Sequence, residues 1–223
     1  MRFTTSEGSR LKIDVENLVI AGWAARDQAA VEAHIKELEE LGVPRPSSVP
    51  LFYRVSADQL TTAPRLQVLG MESSGEVEAV LLSDPEGKLW VGVGSDHTDR
   101  KVEAYSVAVS KQMCPKPLSA ELWSFEEVAD HWDQLELRSH IVVEGQRQLY
   151  QEGTLAGLLD PRDLVRRYTR SDRLPPGTAL FCGTLTAQGG VRPAERFEME
   201  LKDPRRGRSL RHAYAVEILP VIA

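Results

Sequence analysis

The chain has 223 residues, 42% of them hydrophobic, and a formal net charge of -6. These values suit one large globular domain or two small ones and exclude a disordered chain. The acidic balance argues against a nucleic-acid partner, and no apolar run approaches the ~20 residues that span a bilayer, so no membrane span is expected.

Two further features concern the compartment and the surface. Cys114 and Cys182 are far apart and form no C-x-x-C pair, which predicts reduced thiols in the cytoplasm rather than a disulfide framework or a zinc site. The basic stretches at 162–173 and 202–212 are short and interrupted by acidic residues, so we interpret them as solvated surface.

The chain begins with short strands, followed by one helix. Residues 1–22 contain alternating and apolar runs that predict strands. Asp27 is the expected N-cap of a helix formed by QAAVEAHIKELEEL, and Gly42 is expected to end it. Within this helix His34 and Glu37 are three residues apart, so they are neighbours on one face. Taken alone, His34 is more simply interpreted as a surface residue.

The stretch GEVEAVLLSDPEGKLWVGVGSD at 75–96 predicts a β-hairpin. Its turn, Asp-Pro-Glu-Gly at 84–87, has residues where a type I turn favours them. With the turn there, Asp96 is expected opposite Glu76. Since side chains alternate along a strand, Glu76 and Glu78 should share one face, about 7 Å apart.

Three carboxylates at one end of a hairpin repel one another, and two arrangements would resolve this. On the local sequence alone, a solvated face or pairing with Arg and Lys is the more common one. The alternative is a hard divalent cation such as Mg2+, which takes oxygen ligands.

The remaining elements complete a strand-rich chain. Residues 51–55 predict a strand, and VEAYSVAVS at 102–110 is compatible with a helix or a strand. Helices are predicted for SFEEVADHWDQL, with Ser124 as N-cap, and for DPRDLVRRYTR. LRSHIVVEGQRQLYQEGTL predicts a hairpin that turns at Glu144, and GTALFCGTLT and YAVEILPV predict strands. The expected fold class is α+β, strand-dominated, in one domain over residues 1–223.

The order of the motifs resembles the fumarylacetoacetate hydrolase family, in particular an uncharacterised branch, a domain of unknown function. The family begins its catalytic region with a strand, a GRNY-like segment and His-x-x-Glu-Leu, and here LVIAGWAARD is followed by HIKEL. Its P-x-F-x-K-like strand is similar to VPLFYR, with Arg54 where lysine is usual. Further similarities are E-x-E (Glu76, Glu78), N-D-v-s-x-R (SDHTDR, with Asp96 and Arg100), K-s-f-D-x-f-x-P (SKQMCPKPLS, with Lys111), the hairpin VVEGQRQ and the ending RLPPGTALFCGTLTAQGGV (with Thr184).

The resemblance covers residues 18–191 and implies a fold and a metal. The implied fold is a mixed β-sandwich roll with short peripheral helices, with N-terminal strands over residues 1–17 and a catalytic region over 18–223. The implied metal is Mg2+ or Mn2+, which would polarise a substrate carbonyl and stabilise an enolate. Its implied ligands are Glu76, Glu78 and Asp96.

The resemblance also implies roles for other side chains. His34 and Glu37 would activate water, with the imidazole as base and the carboxylate orienting it. Lys111 would stabilise the developing oxyanion. Arg100 and Thr184 would bind a substrate carboxylate.

The implied function is a divalent-metal-dependent hydrolase that cleaves a carbon–carbon bond in a small 2-oxo acid or acylpyruvate-like substrate, acting as a homodimer. The alternatives are a decarboxylase or hydratase acting on a 2-oxo acid, and a non-catalytic binding protein that keeps the fold.

The chain departs from the family pattern on the substrate side, so the resemblance does not determine the substrate. Ser95 replaces the usual Asn, and the spacing from Asp96 to Lys111 is shorter than usual. His97 has no counterpart in the pattern. We interpret it as a solvent-facing loop residue, with a supporting position behind Asp96 as the alternative.

Overall fold

The structure is a computed structural model that describes residues 1–40 and 45–222, except for the side chains of His34, Glu37 and Leu38. The described part forms seventeen strands: β1 (Arg2–Thr5), β2 (Arg10–Lys12), β3 (Asn17–Gly22), β4 (Leu51–Val55), β5 (Leu60–Thr61), β6 (Arg65–Leu69), β7 (Ser73–Ser74), β8 (Val77–Ser83), β9 (Leu89–Ser95), β10 (Thr98–Asp99), β11 (Lys116–Pro117), β12 (Glu121–Ser124), β13 (Glu136–Val143), β14 (Gln146–Thr154), β15 (Thr178–Thr184), β16 (Arg196–Asp203) and β17 (Arg208–Leu219). Its α-helices are α1 (Gln28–Glu40), α2 (Arg100–Glu103), α3 (Val107–Met113) and α4 (Pro161–Thr169). Short 3-10 helices cover Ala57–Gln59, Phe125–Glu127, Ala129–Gln134 and Leu155–Gly157. The strand-dominated α+β class is confirmed.

Most strands belong to two sheets. The larger has the order β2-β1-β12-β9-β8-β15-β3-β4, and the smaller has the order β14-β13-β16-β17-β6. Both are mixed, since β15 pairs parallel with β3 and antiparallel with β8, and β17 pairs parallel with β6 and antiparallel with β16. Two short pairs, β7 with β10 and β5 with β11, stand apart from these sheets. This is the mixed β-sandwich roll expected from the motif order.

Strand β8 is buried on both faces. Ala79 and Leu81 pack in the apolar cluster that also contains the inward side chains of the smaller sheet. Val80 and Leu82 belong to a second cluster, which alternation along the strand places on the other face. This two-sided burial explains the near-continuous apolar run. Glu78 has the parity of Val80 and so faces away from the smaller sheet.

The predicted β8–β9 hairpin is confirmed in both turn and register. The Gly87 N–H donates to the Asp84 carbonyl at 3.0 Å, which closes the turn. At the other end of the hairpin, the Asp96 N–H donates to the Glu76 carbonyl at 3.0 Å, so these two residues lie opposite each other.

Other local predictions are confirmed as well. The Asp27 carboxylate accepts from the backbone N–H groups of Ala29 and Ala30 at 3.0 Å and so caps α1. The expected helix end at Gly42 lies outside the described residues. The second hairpin is β13–β14, the helix in DPRDLVRRYTR is α4, and the last two predicted strands lie in β15 and β17. The ambiguous stretch at 102–110 is helical, divided between α2 and α3.

The prediction of a single helix for SFEEVADHWDQL is wrong. The segment forms two 3-10 helices, and the Ser124 side chain makes no capping hydrogen bond. The backbone leaves helical geometry at His131, whose φ is -135°. The His131 Nε2 lies 3.0 Å from Oδ1 of the buried Asp203 on β16. This tertiary contact outweighs the local helix propensity.

None of the helices in the described ranges is long and apolar enough to cross a membrane.

Candidate active site

Three acidic side chains meet at the end of the β8–β9 hairpin opposite its turn. Glu78 and Asp96 are buried, with 2% and 1% of their surface exposed, and Glu76 is partly buried beside them. The hairpin register therefore brings together the three carboxylates to which the family resemblance gives the role of metal ligands.

Glu78 is held by an irregularity in the neighbouring strand. The register of β15 against β8 shifts between Phe181 and Thr184. At this bulge Gly183 has a φ of +96° and donates its N–H to Glu78 Oε2 at 2.7 Å. A Cβ atom at Gly183 would lie 2.7 Å from the Cβ of Ala24, so both the backbone conformation and the space require glycine.

Two lysines meet at Asp96. The Lys111 ammonium on α3 donates to Asp96 Oδ2, and the Lys116 ammonium on β11 lies 3.2 Å from Oδ1. Lys116 is fully buried and also donates to the backbone carbonyls of His97 and Cys114. Two of its N–H groups therefore bind backbone carbonyls while its charge faces Asp96, so Lys116 fixes the position of Asp96.

Lys116 was not identified from the sequence. Lys111 was aligned by position as the lysine of SKQMCPKPLS, and Lys116 is the second lysine of that segment. The spacing from Asp96 to Lys111 is shorter than usual in the family, and this was the signal that could have pointed to the later lysine, Lys116.

The acidic groups differ in proton affinity. Burial raises the pKa of the Glu78 carboxyl well above its usual range, and the charges of Asp96 and Glu76 raise it further. Burial would also raise the pKa of Asp96, but the Lys111 and Lys116 ammonium groups outweigh it and lower that pKa to about 2. An ionised carboxylate thus lies beside one that binds a proton more tightly, as in many sites that exchange protons.

Arg100 connects Glu76 to helix α2. Its guanidinium donates to Ser74 Oγ at 2.7 Å and to Glu103 Oε2 at 2.9 Å. Its Nη2 is buried and lies 3.3 Å from Glu76 Oε2, but without hydrogen-bond geometry. Within the described residues this nitrogen has no hydrogen-bond acceptor, and an anionic ligand would supply one.

The interpretation of His97 as a solvent-facing residue is wrong. His97 is buried, with Nδ1 3.0 Å from the Tyr214 hydroxyl and Nε2 3.0 Å from Ser73 Oγ. The Tyr214 hydroxyl also lies 2.9 Å from Ser95 Oγ. Burial lowers the pKa of His97 to about 3, and the charge of Lys116 contributes, so the imidazole is neutral. Through these two contacts His97 fixes the backbone next to Asp96.

Thr184 lies beside Glu78 in the register of β15 and β8. Its hydroxyl donates to the Val77 carbonyl at 2.7 Å and accepts from Gln151 Nε2 at 2.8 Å. Gln151 is itself fixed, because its Oε1 accepts from the Val77 N–H at 2.9 Å and from Ser139 Oγ at 3.0 Å. With its proton used on Val77, the Thr184 hydroxyl keeps acceptor capacity but no free donor. Its binding of a substrate carboxylate stays a prediction.

The predicted dyad of His34 and Glu37 falls on helix α1. Their side chains lie outside the described part of the structure, so their roles as base and orienting carboxylate also stay predictions.

The carboxylates contact donors of the chain itself. Arg100 faces Glu76, the Gly183 N–H binds Glu78, and both oxygens of Asp96 face lysines. Over the described ranges, no group of three or more His, Cys, Asp or Glu side chains could hold a metal ion. A hard cation needs oxygen lone pairs that converge on one point. As arranged, this donor set does not fit Mg2+ or Mn2+, and the metal-ligand roles stay predictions.

Comparison of sequences defines the family. Residues 21–214 match the model of a family described as "Protein of unknown function (DUF2848)". The chain belongs to the DUF2848 family. No curated protein sequence matches this DUF2848 chain.

Comparison of structures confirms the fold. A fumarylacetoacetate hydrolase family protein from Yersinia pestis CO92 superposes with a TM-score of 0.66 at 16% identity, covering 98% of this chain and 100% of the other. The apo form of 2-keto-3-deoxy-D-arabinonate dehydratase gives 0.64 at 15% identity, covering 93% and 74%. That dehydratase complexed with magnesium and 2,5-dioxopentanoate gives 0.63 at 14% identity, covering 94% and 75%. This DUF2848 chain therefore has the fumarylacetoacetate hydrolase fold that the motif order predicts.

Proposed function

We propose that the protein is an enzyme that acts on a small 2-oxo acid or an acylpyruvate-like substrate, with hydrolysis of a carbon–carbon bond as the reaction. The observation that carries this proposal is the concentration of charged groups at the end of the β8–β9 hairpin. Glu78 and Asp96 there are almost fully buried next to Lys111 and Arg100.

Such a concentration is costly for the fold. Each buried charge loses hydration, and folding gains more from apolar side chains of the same volume than from a buried ion-pair network. Groups with strongly shifted pKa values in opposite directions, such as Glu78 and Asp96, are typical of functional sites. The network therefore favours a chemical role over a purely structural one.

The residue types suit an anionic substrate. Lys111 would provide positive charge for the enolate oxygen that develops when a bond next to a carbonyl breaks. The Arg100 nitrogen without an acceptor would bind a substrate carboxylate. His34 would remove a proton from water, oriented by Glu37, as the family resemblance implies.

Lyase chemistry on a 2-oxo acid, by a decarboxylase or a hydratase, is the second candidate, because one protein of the same fold is a 2-keto-3-deoxy-D-arabinonate dehydratase. Mg2+ or Mn2+ as cofactor, a single domain over residues 1–223, a homodimer and a cytoplasmic location stay predictions.

The test is thermal unfolding with oxalate, which mimics the enolate of a 2-oxo acid, followed by a turnover assay. Each sample is measured with a chelator and again with Mg2+ or Mn2+. A ligand at ~100 times its Kd stabilises the folded state by about 2.7 kcal/mol, which raises the Tm of a chain of this size by about 5–10 °C. Acylpyruvates and oxaloacetate are then screened for release of pyruvate.

The variants separate a specific site from general charge effects. Arg100→Met should remove the oxalate shift, whereas Lys101→Met, which removes one positive charge from an exposed position on the same helix, should retain it. If oxalate does not shift the Tm of the wild type with or without metal, and none of the substrates turns over, the protein is not a 2-oxo-acid enzyme.

A further inference from the structure

The Lys111 ammonium lies where three acidic side chains meet, at the place that the family resemblance gives to a metal ion. We propose that Lys111 is the resident cation of this carboxylate cluster and that it excludes a divalent metal ion from Asp96. In this protein, the positive charge that faces the substrate would then come from the chain itself.

Local structure delivers Lys111 to this position. Ser106 is the N-cap of helix α3, and its hydroxyl accepts from the Val109 N–H at 3.4 Å. The helix buries one face, formed by Ser110 and Lys111. The Lys111 side chain is 7% exposed, and its ammonium lies 5.6 Å from the centre of the Tyr53 ring. The aromatic ring and the carboxylate of Asp96 both attract the positive charge of the ammonium.

The contacts of Asp96 leave little room for a metal ion beside the two ammonium groups. Lys111 binds Oδ2, and Lys116 faces Oδ1 at 3.2 Å, as does the Thr98 hydroxyl at 3.3 Å. Mg2+ would need one of these oxygens at about 2.0–2.1 Å with its lone pair free. Oδ1 already faces two donor groups and Oδ2 accepts from one, and a metal ion at the remaining lone pair would lie next to two ammonium groups of like charge.

The two lysines differ in how firmly they are held. Lys116 donates to two backbone carbonyls, faces Asp96 and is completely buried, so it belongs to the scaffold. Lys111 has Asp96 as its one hydrogen-bond acceptor within the described ranges, which leaves two N–H groups for a ligand. If the proposed function holds, these two groups would bind the carbonyl or enolate oxygen of the substrate.

The remaining carboxylates support the same assignment. Glu76 already faces Arg100, and Glu78 has the Gly183 N–H. Once Lys111 is removed, Asp96 Oδ2 would lose its one hydrogen-bond donor among the described residues, and that position would be open to another cation.

The experiment is a direct measurement of Mn2+ binding without substrate, by titration with detection of free Mn2+ by electron paramagnetic resonance. Wild type is compared with Lys111→Met, which replaces most of the apolar stem of the side chain and removes its charge. Lys101→Met is the matched control, since it removes the same charge from the exposed surface of α2. The double variant Lys111→Met with Asp96→Asn tests whether the new site uses Asp96.

Wild type and Lys101→Met should bind Mn2+ with a Kd weaker than about 1 mM, at the weak end of protein sites for hard divalent cations. Lys111→Met should bind at least about tenfold more tightly, and the double variant should lose this gain. Equal affinities of wild type and Lys111→Met would overturn the proposal. If Lys111→Met does not fold, the wild-type titration decides: weak binding supports the exclusion, and tight binding overturns it.

This outcome is independent of the proposed reaction, because Mn2+ affinity is read without turnover. A wild type that binds oxalate only together with Mn2+ would refute the role of Lys111 but keep the 2-oxo-acid enzyme. A wild type that excludes Mn2+ and also ignores oxalate would keep the role of Lys111 and refute the enzyme.

Discussion

Replacement of His97 by glutamine should reduce the amount by which the free energy of unfolding of this protein falls on acidification. His97 is buried between the Tyr214 hydroxyl and Ser73 Oγ, and burial lowers its pKa to about 3 from the ordinary value of 6.5. In the unfolded chain the imidazole titrates near its ordinary value. Between these two pKa values the unfolded state binds the extra proton, so the free energy of unfolding decreases as the pH falls through this window.

The magnitude follows from the two pKa values. On going from about pH 7 to about pH 5, the unfolded imidazole becomes almost fully protonated while the folded one stays neutral, which costs about 2 kcal/mol at 1.36 kcal/mol per pKa unit. Glu78 acts in the opposite direction, because its raised pKa makes the folded state more stable as the pH falls. The prediction therefore concerns the difference between wild type and variant, in which the contribution of Glu78 cancels.

The assay is urea denaturation of wild type and His97→Gln at both pH values. The variant should be less stable than wild type at neutral pH, since its amide replaces the imidazole only approximately, but its loss between the two pH values should be smaller by about 2 kcal/mol. His140→Gln is the control, because His140 is only half-buried on β13 and should change the pH dependence much less. If His97→Gln loses as much stability on acidification as wild type, to within about 0.5 kcal/mol, the assignment of His97 as a neutral buried histidine is refuted.

Two further predictions test the scaffold of the site by thermal and chemical unfolding. Gly94→Ala would place a Cβ atom 2.7 Å from Val80 Cγ2 and 2.8 Å from Phe181 Cε1, so it should destabilise the fold by about 1–3 kcal/mol. In the control Gly157→Ala the new Cβ atom meets no atom within 4 Å, so this variant should have little effect. Equal Tm values for the two variants would contradict the tight packing around Gly94 on β9. Asp84→Ala removes the carboxylate that accepts from Trp90 Nε1 and from the Lys88 N–H, both at 2.8 Å, so the free energy of unfolding should fall by about 2 kcal/mol or more. Glu86→Ala, at an exposed position of the same turn, is the control. A loss for Asp84→Ala as small as that for Glu86→Ala would show that the turn does not depend on the carboxylate.

Local sequence was sufficient wherever a feature depends on residues close together in the chain. The turn at 84–87 and the period of two along β8 predicted that Asp96 lies opposite Glu76, because a hairpin has one register once its turn is set. Asp27 was recognised as the N-cap of α1 for the same reason: its hydrogen bonds go to the next two or three residues. The order of short motifs then indicated the fold, which needs no knowledge of individual contacts.

Features that depend on distant residues were not predictable in this way. His97 looked like a loop residue, yet it is buried by Tyr214, which lies 117 residues further along the chain and reaches it from the smaller sheet. The helix predicted for SFEEVADHWDQL is broken because His131 contacts Asp203. The hydroxyl of Thr184 forms hydrogen bonds with Val77 and Gln151, and the residues next to Thr184 in the sequence predict neither contact.

The candidate site shows the same division. The amino-acid sequence by itself determined that Glu76, Glu78 and Asp96 converge, since hairpin geometry follows from alternation and turn chemistry. Only the tertiary structure decided what neutralises them. Lys111 and Lys116 reach Asp96 because α3 packs against β10 and β4 and β11 packs against β9, and a lysine side chain is long enough to reach either the solvent or a buried carboxylate. Which of the two it reaches depends on the desolvation and charge of the assembled site, and these exist only once the sheets and helices have packed.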